Sequence, residues 1–153
     1  MKGGKKMLIR FNLLKECVAP FIAINAKQKT DELITLAGVL DRLVNDKTVV
    51  GYQNGRRKAI PFYQIVSVHT AGKKIVCETE TGVYRLKERI YELIELLPAE
   101  LFIQVSSAEI VSIAQIKDFS LSKTGIYQVN LINGRQTYTS RRYTQKIRRA
   151  LLK

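Results

Sequence analysis

The side chains of this 153-residue chain with the most obvious chemistry lie at its end. Residues 134–153, GRQTYTSRRYTQKIRRALLK, carry seven Lys/Arg and no acid, and no Asp or Glu follows Asp118. Guanidinium and ammonium groups at that density, with no carboxylate among them, bind anions, and a planar guanidinium can pair with a phosphate or with the edge of a base. The whole chain shares the bias: a net charge of +13 and a pI near 9.9 point to a polyanionic partner, whether DNA, RNA or an anionic membrane surface. A single charged run is as often a solvated basic tail. The one-signed field over the last third of the chain is what favours nucleic acid here.

Other chemistries lack their residues. The single histidine, His69, sits in an apolar-polar strand pattern around which no triad can be built. Glu88, Glu92 and Glu95, three and four apart, read as the solvated face of a helix rather than a metal site or an acid/base pair. Neither GxGxxG nor GxxxxGK[ST] occurs, so no phosphate-binding loop is offered. Cys17 and Cys77 have no metal-ligand spacing and read as small apolar strand residues rather than as a disulfide. The expectation is a protein that is not an enzyme and uses no cofactor and no metal. No apolar run approaches the ~20 residues of a spanning helix, and the opening MKGGKKMLIRFNLL is interrupted by Arg10 and Asn12, unlike a signal peptide. A cytoplasmic protein without membrane insertion is expected.

The elements that must carry the basic groups follow from periodicity. Residues 7–14 and 18–25 read as two extended segments, the first alternating Ile9, Phe11 and Leu13 with Arg10 and Asn12. Thr30 is a suitable N-cap, with Asp31 and Glu32 in the first turn. Leu33, Leu36, Ala37, Leu40, Leu43 and Val44 then form a helical stripe. That stripe packs either on its own two strands, the plainer reading, or on a second copy in a homodimer. From Thr48 short strands take over, with Asn54-Gly55 as a two-residue hairpin turn followed by Arg56-Arg57-Lys58. Strands are expected at 65–70, 75–79 and 83–86, a helix at 87–97 stopped by Pro98, and further strands at 102–105, 110–113, 116–121, 126–131 and 136–140. In the terminal run, Tyr143, Ile147, Ala150 and Leu151 share one helical face and leave Arg141, Arg142, Arg148 and Arg149 on the others. The aromatics Phe102, Phe119, Tyr127 and Tyr138 fall where core packing is the better reading, which favours duplex over single-stranded partners.

Taken in order, IPFYQIVSVHTAGKKIVCETETGVYRL, ERIYELIELLPAELF, FIQVSSAEIVSIAQIKDFS, LINGR and TYTSRRYTQKIRRALL resemble the LytTR DNA-binding domain of bacterial transcriptional regulators. The likeness covers 48–153, and SRRY after the Asn133-Gly134 turn is its sharpest piece. It implies a mainly β protein: an antiparallel fold of small sheets with a short helix, here preceded by an N-terminal ββα segment over 1–47. It also implies loops that enter successive major grooves and bend the DNA. By resemblance, base contacts come from Lys73 or Lys74, from Ser112 in Ile110-Val111-Ser112 where the family commonly has Asn, and from Ser140-Arg141-Arg142. Ser106-Ser107 stand where members often carry a basic pair. Ser112 cannot make the two-point contact to adenine that Asn makes. Arg56, Arg57, Lys58, Lys146 and Arg149 are left for phosphates. The first 47 residues are too few for a phospho-acceptor receiver, so the chain resembles the small stand-alone type of regulator. An RNA-binding or ribosome-associated basic β-protein is the alternative reading, and a structural interaction module is a weaker third.

Overall fold

The computed structural model describes residues 6–152 and divides into two compact units, Met1–Gly38 and Val39–Lys153. In the first, residues 6–29 form no regular secondary structure and pair with no strand, which corrects the two strands expected there. Ile9, Phe11 and Leu13, the intended buried face, are about nine-tenths exposed. Alternation stabilises a strand only against a neighbour and a covering layer, and two such segments alone supply neither.

Helix α1, Asp31–Asp41, starts where its cap directs: Thr30 Oγ1 accepts the Leu33 N–H at 3.2 Å, with Asp31 and Glu32 in the first turn. A π-helical turn, Arg42–Asp46, continues it. Leu33, Leu36, Leu40, Leu43 and Val44 are only half-buried, and no residue of α1 is buried. The stripe exists, but packing on its own two strands is excluded because those strands are not formed.

The second unit begins with β1 (Thr48–Gln53) and β2 (Arg56–Pro61), joined by Asn54 (φ 51°) and Gly55 (φ 75°), the two left-handed residues of a type I′ turn. β3 (Ile65–Ala71), β4 (Lys74–Thr79) and β5 (Val83–Leu86) form the expected meander. Helix α2, Ile90–Leu96, is shorter than expected; the Glu92 carboxylate accepts the Arg89 N–H at 3.0 Å and fixes its start. β6 (Phe102–Ser106), β7 (Glu109–Ser112), β8 (Ile116–Leu121), β9 (Tyr127–Leu131), β10 (Gln136–Tyr138) and α3 (Arg141–Leu151) complete the unit. All pairings are antiparallel, in a seven-stranded sheet ordered β2-β1-β5-β4-β3-β7-β6 and a three-stranded sheet ordered β10-β9-β8. Gly51 lets β1 lie close beside β5, since a Cβ there would come within 2.6 Å of Tyr84 Cβ.

Two apolar clusters hold this unit together. Val49, Ile60, Phe62, Ile65, Val68, Cys77, Leu86, Phe102 and Ile110 pack with Ile90, Leu93 and Leu97 of α2. Val66, Ile103, Val105 and Val111 pack with Val129 and Leu131 of the smaller sheet and Ile147 of α3. Strands β3, β6 and β7 therefore contribute side chains to both. Burial, helped by the neighbouring Glu78 charge, pushes the Cys77 thiol up to about 12, so it behaves as an apolar residue. Cys17 is exposed, in a stretch without strand structure. Phe102 and Tyr127 are buried as expected and Phe119 half so; Tyr138 is exposed, because β10 is the edge of its sheet.

Candidate nucleic-acid interface

Three turns far apart in sequence meet at one end of the seven-stranded sheet. The β3–β4 turn passes through Gly72 at φ 63° and exposes Lys73 and Lys74. Beside it lies the β6–β7 turn, tied by the Thr70 N–H to the Ala108 carbonyl at 2.9 Å, with Ser106 Oγ accepting the Ala108 N–H at 3.1 Å and Ser107 exposed. The third segment is the entry to α3. The Ser140 N–H donates to the Val105 carbonyl at 3.0 Å, next to Ser106, and its hydroxyl makes no capping bond to the helix it precedes. Arg141 and Arg142 follow, both exposed.

Along α3 the residues divide as a helix of this spacing requires. Ile147 is buried, with Tyr143 and Leu151 packed beside it; Ala150, expected on that face, is exposed. Arg142, Gln145, Lys146 and Arg149, at i, i+3, i+4 and i+7, line one shallow surface hollow. Arg148 is partly committed elsewhere, its Nε donating to Tyr127 Oη at 3.1 Å.

The remaining candidates stand apart from that end. Arg56 pairs with Gln53 at the tip of the β1–β2 hairpin, and the Gln53 side chain donates to the Val83 carbonyl at 3.1 Å, beside the β4–β5 turn. The antiparallel register puts this tip at the opposite end of the sheet from Lys73. Arg57 is exposed there; Lys58 is turned to Tyr84, its Nζ 3.4 Å from the phenol oxygen and 5.3 Å from the ring centre. Ser112 pairs with Phe102 at the far end of β7 from Ser106-Ser107, so it does not join the Lys73 and Arg142 group. An antiparallel strand carries its first and last residues to opposite rims, and the sequence pattern Ile-Val-Ser alone does not say which rim a turn occupies.

A polar cluster that sequence reasoning missed lies behind the convergent end. Glu109 is 6% exposed and accepts hydrogen bonds from Ser67 Oγ at 2.6 Å, from Arg135 Nη2 at 2.7 Å and from Thr137 Oγ1. Arg135 also donates to Glu78 Oε1 from Nε at 3.0 Å and from Nη2 at 2.8 Å, and Asn133 donates to Glu78 Oε2 at 3.2 Å. His69 Nδ1 lies 3.1 Å from Ser67 Oγ and 3.8 Å from Glu109. Burial alone would raise the Glu109 carboxyl, but the hydrogen bonds from Arg135, Ser67 and Thr137 and the Arg135 charge outweigh it and hold the group below its ordinary range. Arg135 is likewise held above its own: burial opposes the shift, and the hydrogen bonds it donates to Glu109 and Glu78, with the charges of those acids, exceed it. The one sequence signal was an acid opening the apolar run Glu109-Ile110-Val111.

Among the described residues no helix is long and apolar enough to cross a membrane. Nor do they contain a helix–turn–helix, since α2 and α3 are separated by five strands and α1 and α2 by another five. The chain is 29% identical over 131 residues to an uncharacterized HTH-type transcriptional regulator of Staphylococcus aureus (strain NCTC 8325), covering 86% of this chain and 88% of that protein. A second such regulator, from S. aureus strain MRSA252, is 28% identical over the same shares. Among solved structures, the LytTr DNA-binding domain of a methyl-accepting/DNA response regulator from Bacillus cereus superposes with a TM-score of 0.65 at 21% identity, over 67% of this chain and 94% of that one. Its likeness extends to the fold: antiparallel sheets with few helices. Residues 55–152 match the LytTr DNA-binding domain family, which takes in every strand but β1, both α2 and α3 and every turn at the convergent end, and the chain belongs to that family.

Proposed function

We propose that this protein is a transcriptional regulator that recognises specific duplex DNA sequences through loops inserted in the major groove. The observation that carries the reading is the convergence of Lys73-Lys74, Ser106-Ser107 and Ser140-Arg141-Arg142 at one sheet end, continued by the Arg142, Lys146 and Arg149 face of α3. Hydroxyls and guanidinium forks there suit base edges, while the cations of α3 suit the flanking phosphates. Lys73 or Lys74, Ser106 or Ser107, and Arg142 are the proposed base contacts. Lys146 and Arg149 are proposed for phosphates, with Arg56, Arg57 and Lys58 reaching the backbone only if the duplex extends or bends towards the far end of the sheet. In this reading 48–153 is the DNA-binding domain, 1–47 a separate segment, and the protein works in the cytoplasm.

Selection of bound sequences from a random duplex pool, followed by affinity measurement across salt, tests this. With about six phosphates neutralised, log affinity should fall against log salt with a slope near −5. A flat salt response, or a pool that yields no preferred sequence, overturns it. Tighter binding to single-stranded RNA than to the selected duplex would move the assignment to the RNA reading. Phe102 and Tyr127 are buried and cannot stack on unpaired bases, so such a result would have to use the exposed Tyr63, Tyr91 or Tyr138.

A second copy is the partner proposed for α1. Its Leu33, Leu36, Leu40 and Leu43 stripe is left half-exposed in one chain, and pairing it would bury apolar surface that the segment before it does not cover. Sedimentation over a wide concentration range should show a dimer that Leu40→Ala weakens; a wild-type monomer throughout excludes it.

A further inference from the structure

The acid–guanidinium cluster lies between the two sheets, and its two acids sit on strands that run to turns assigned above to DNA. Glu109 begins β7 two residues after Ser107. Glu78 lies on β4, four residues beyond Lys74 and opposite Ser67 of β3, so it holds the body of that strand. Arg135 opens the six-residue run to Ser140, and that run is pinned repeatedly: Thr137 to Glu109, Thr139 to Tyr127 through both its N–H and its hydroxyl at 2.9 Å, and Ser140 to Val105. The guanidinium, carried by the lead-in to the third segment, thus bonds at once to β4, the strand after the first turn, and to β7, the strand after the second.

We propose that Arg135 is a positioning residue for sequence reading: through Glu109 and Glu78 it sets the spacing of the Lys73, Ser107 and Arg142 segments without touching DNA itself. The inference rests on the DNA-reading assignment of those segments. Its physical basis is geometric. Nε and Nη2 form a planar fork that grips Glu78 while Nη2 also reaches Glu109, a two-carboxylate arrangement that a lysine ammonium cannot reproduce. Glu109 is buried and needs a cationic partner where it stands. The small sheet therefore cannot slide on the large one without breaking charge-assisted bonds. Side chains that reach base edges require their backbones in fixed mutual register, whereas phosphate contacts tolerate displacement.

Arg135→Lys in the full chain separates this role from charge. The measurements are affinity for the duplex selected from the random pool, affinity for random duplex, the salt slope of each, and the thermal melt. Positioning predicts that the selected duplex is bound about tenfold more weakly, the scale of losing one well-placed base contact, while random duplex changes by less than about twofold and the salt slope stays fixed. Equal weakening of the selected and random duplexes would show that Arg135 does not act on sequence reading and would overturn the proposal. So would an unchanged ratio in a folded variant. Should Arg135→Lys fail to fold, Glu78→Ala decides: it keeps the Glu109 pair and removes the Glu78 arm of the grip, and an unchanged ratio there is equally fatal. Wild-type protein with no preference for any duplex would bring down the DNA-reading assignment itself, a result distinct from the loss of the Arg135 role alone.

Discussion

The two ends of the seven-stranded sheet are both basic, yet they are built differently. At one end three segments from residues 71–74, 106–109 and 140–142 meet, anchored by a buried carboxylate and the guanidinium it shares with a second acid. At the other, Arg56 and Arg57 project from one two-residue hairpin, and Lys58 rests on Tyr84. Charge is cheap to place on a hairpin tip and says little about what is read there, because exposed cations act on any phosphate within a Debye length. Convergence of distant segments over a rigid ionic base is costly in sequence terms, since Glu78, Glu109 and Arg135 must all be present at once. The contrast is between a surface assembled from distant segments and one that is merely charged.

The largest difference between the ends should appear in stability. Arg135→Ala leaves Glu78 and Glu109 facing one another without their cation and should cost roughly 3 to 5 kcal/mol by equilibrium urea unfolding, whereas Arg57→Ala should stay within about 0.5 kcal/mol. The same cluster gives acid sensitivity. Because the folded Glu109 carboxyl is held below its unfolded range, its contribution is complete above that range and disappears as pH falls through the lowered folded value. Wild type should therefore lose stability on acidification more steeply than Arg135→Ala, in which the group no longer has its cation. Parallel pH profiles would show that the ends do not differ in this way.

Next in size is Arg142→Lys, which keeps the charge and removes the fork. It should cost about 1 to 3 kcal/mol on the selected duplex and little on random DNA, read by titration of both at fixed salt. On a duplex that reaches the far end of the sheet, Arg57→Ala should do the reverse, weakening selected and random sequences alike and lowering the salt slope by about one unit. A loss of preference in Arg57→Ala would put base reading at the wrong end. The smallest effect belongs to Ser112→Ala. Lying away from the Arg142 group, it should change affinity for the selected duplex by less than about 0.5 kcal/mol, and a larger loss would return Ser112 to the interface.

Much of this architecture was legible in the sequence, and the failures share a cause. The Asn54-Gly55 hairpin, the β3–β5 meander, α2 and the apolar face of α3 follow from local rules of turn chemistry and period. The strands expected at 7–14 and 18–25 satisfied the same local rules and still did not form, because pairing is a tertiary event that alternation cannot guarantee. Ser106-Ser107 and Ser112 were both candidates, and only register put one pair beside Arg142 and left the other away. Arg135 was counted merely as one cation of a basic run. Its partners Glu78 and Glu109 lie 57 and 26 residues away, a separation that no motif spans.

Strands β3, β6 and β7 place side chains in both apolar clusters, and this ties the two layers into one cooperative event. Stripping α3 and the small sheet away would bare Val66, Ile103, Val105 and Val111 to water, while losing α2 would undermine the same strands from the other face. Neither layer can open alone without weakening the other, so backbone amides of β3 and β7 should exchange with solvent only through complete unfolding of the unit. In a unit built this way no species with only some of the convergent turns formed should accumulate: they are expected to be all in place or all gone.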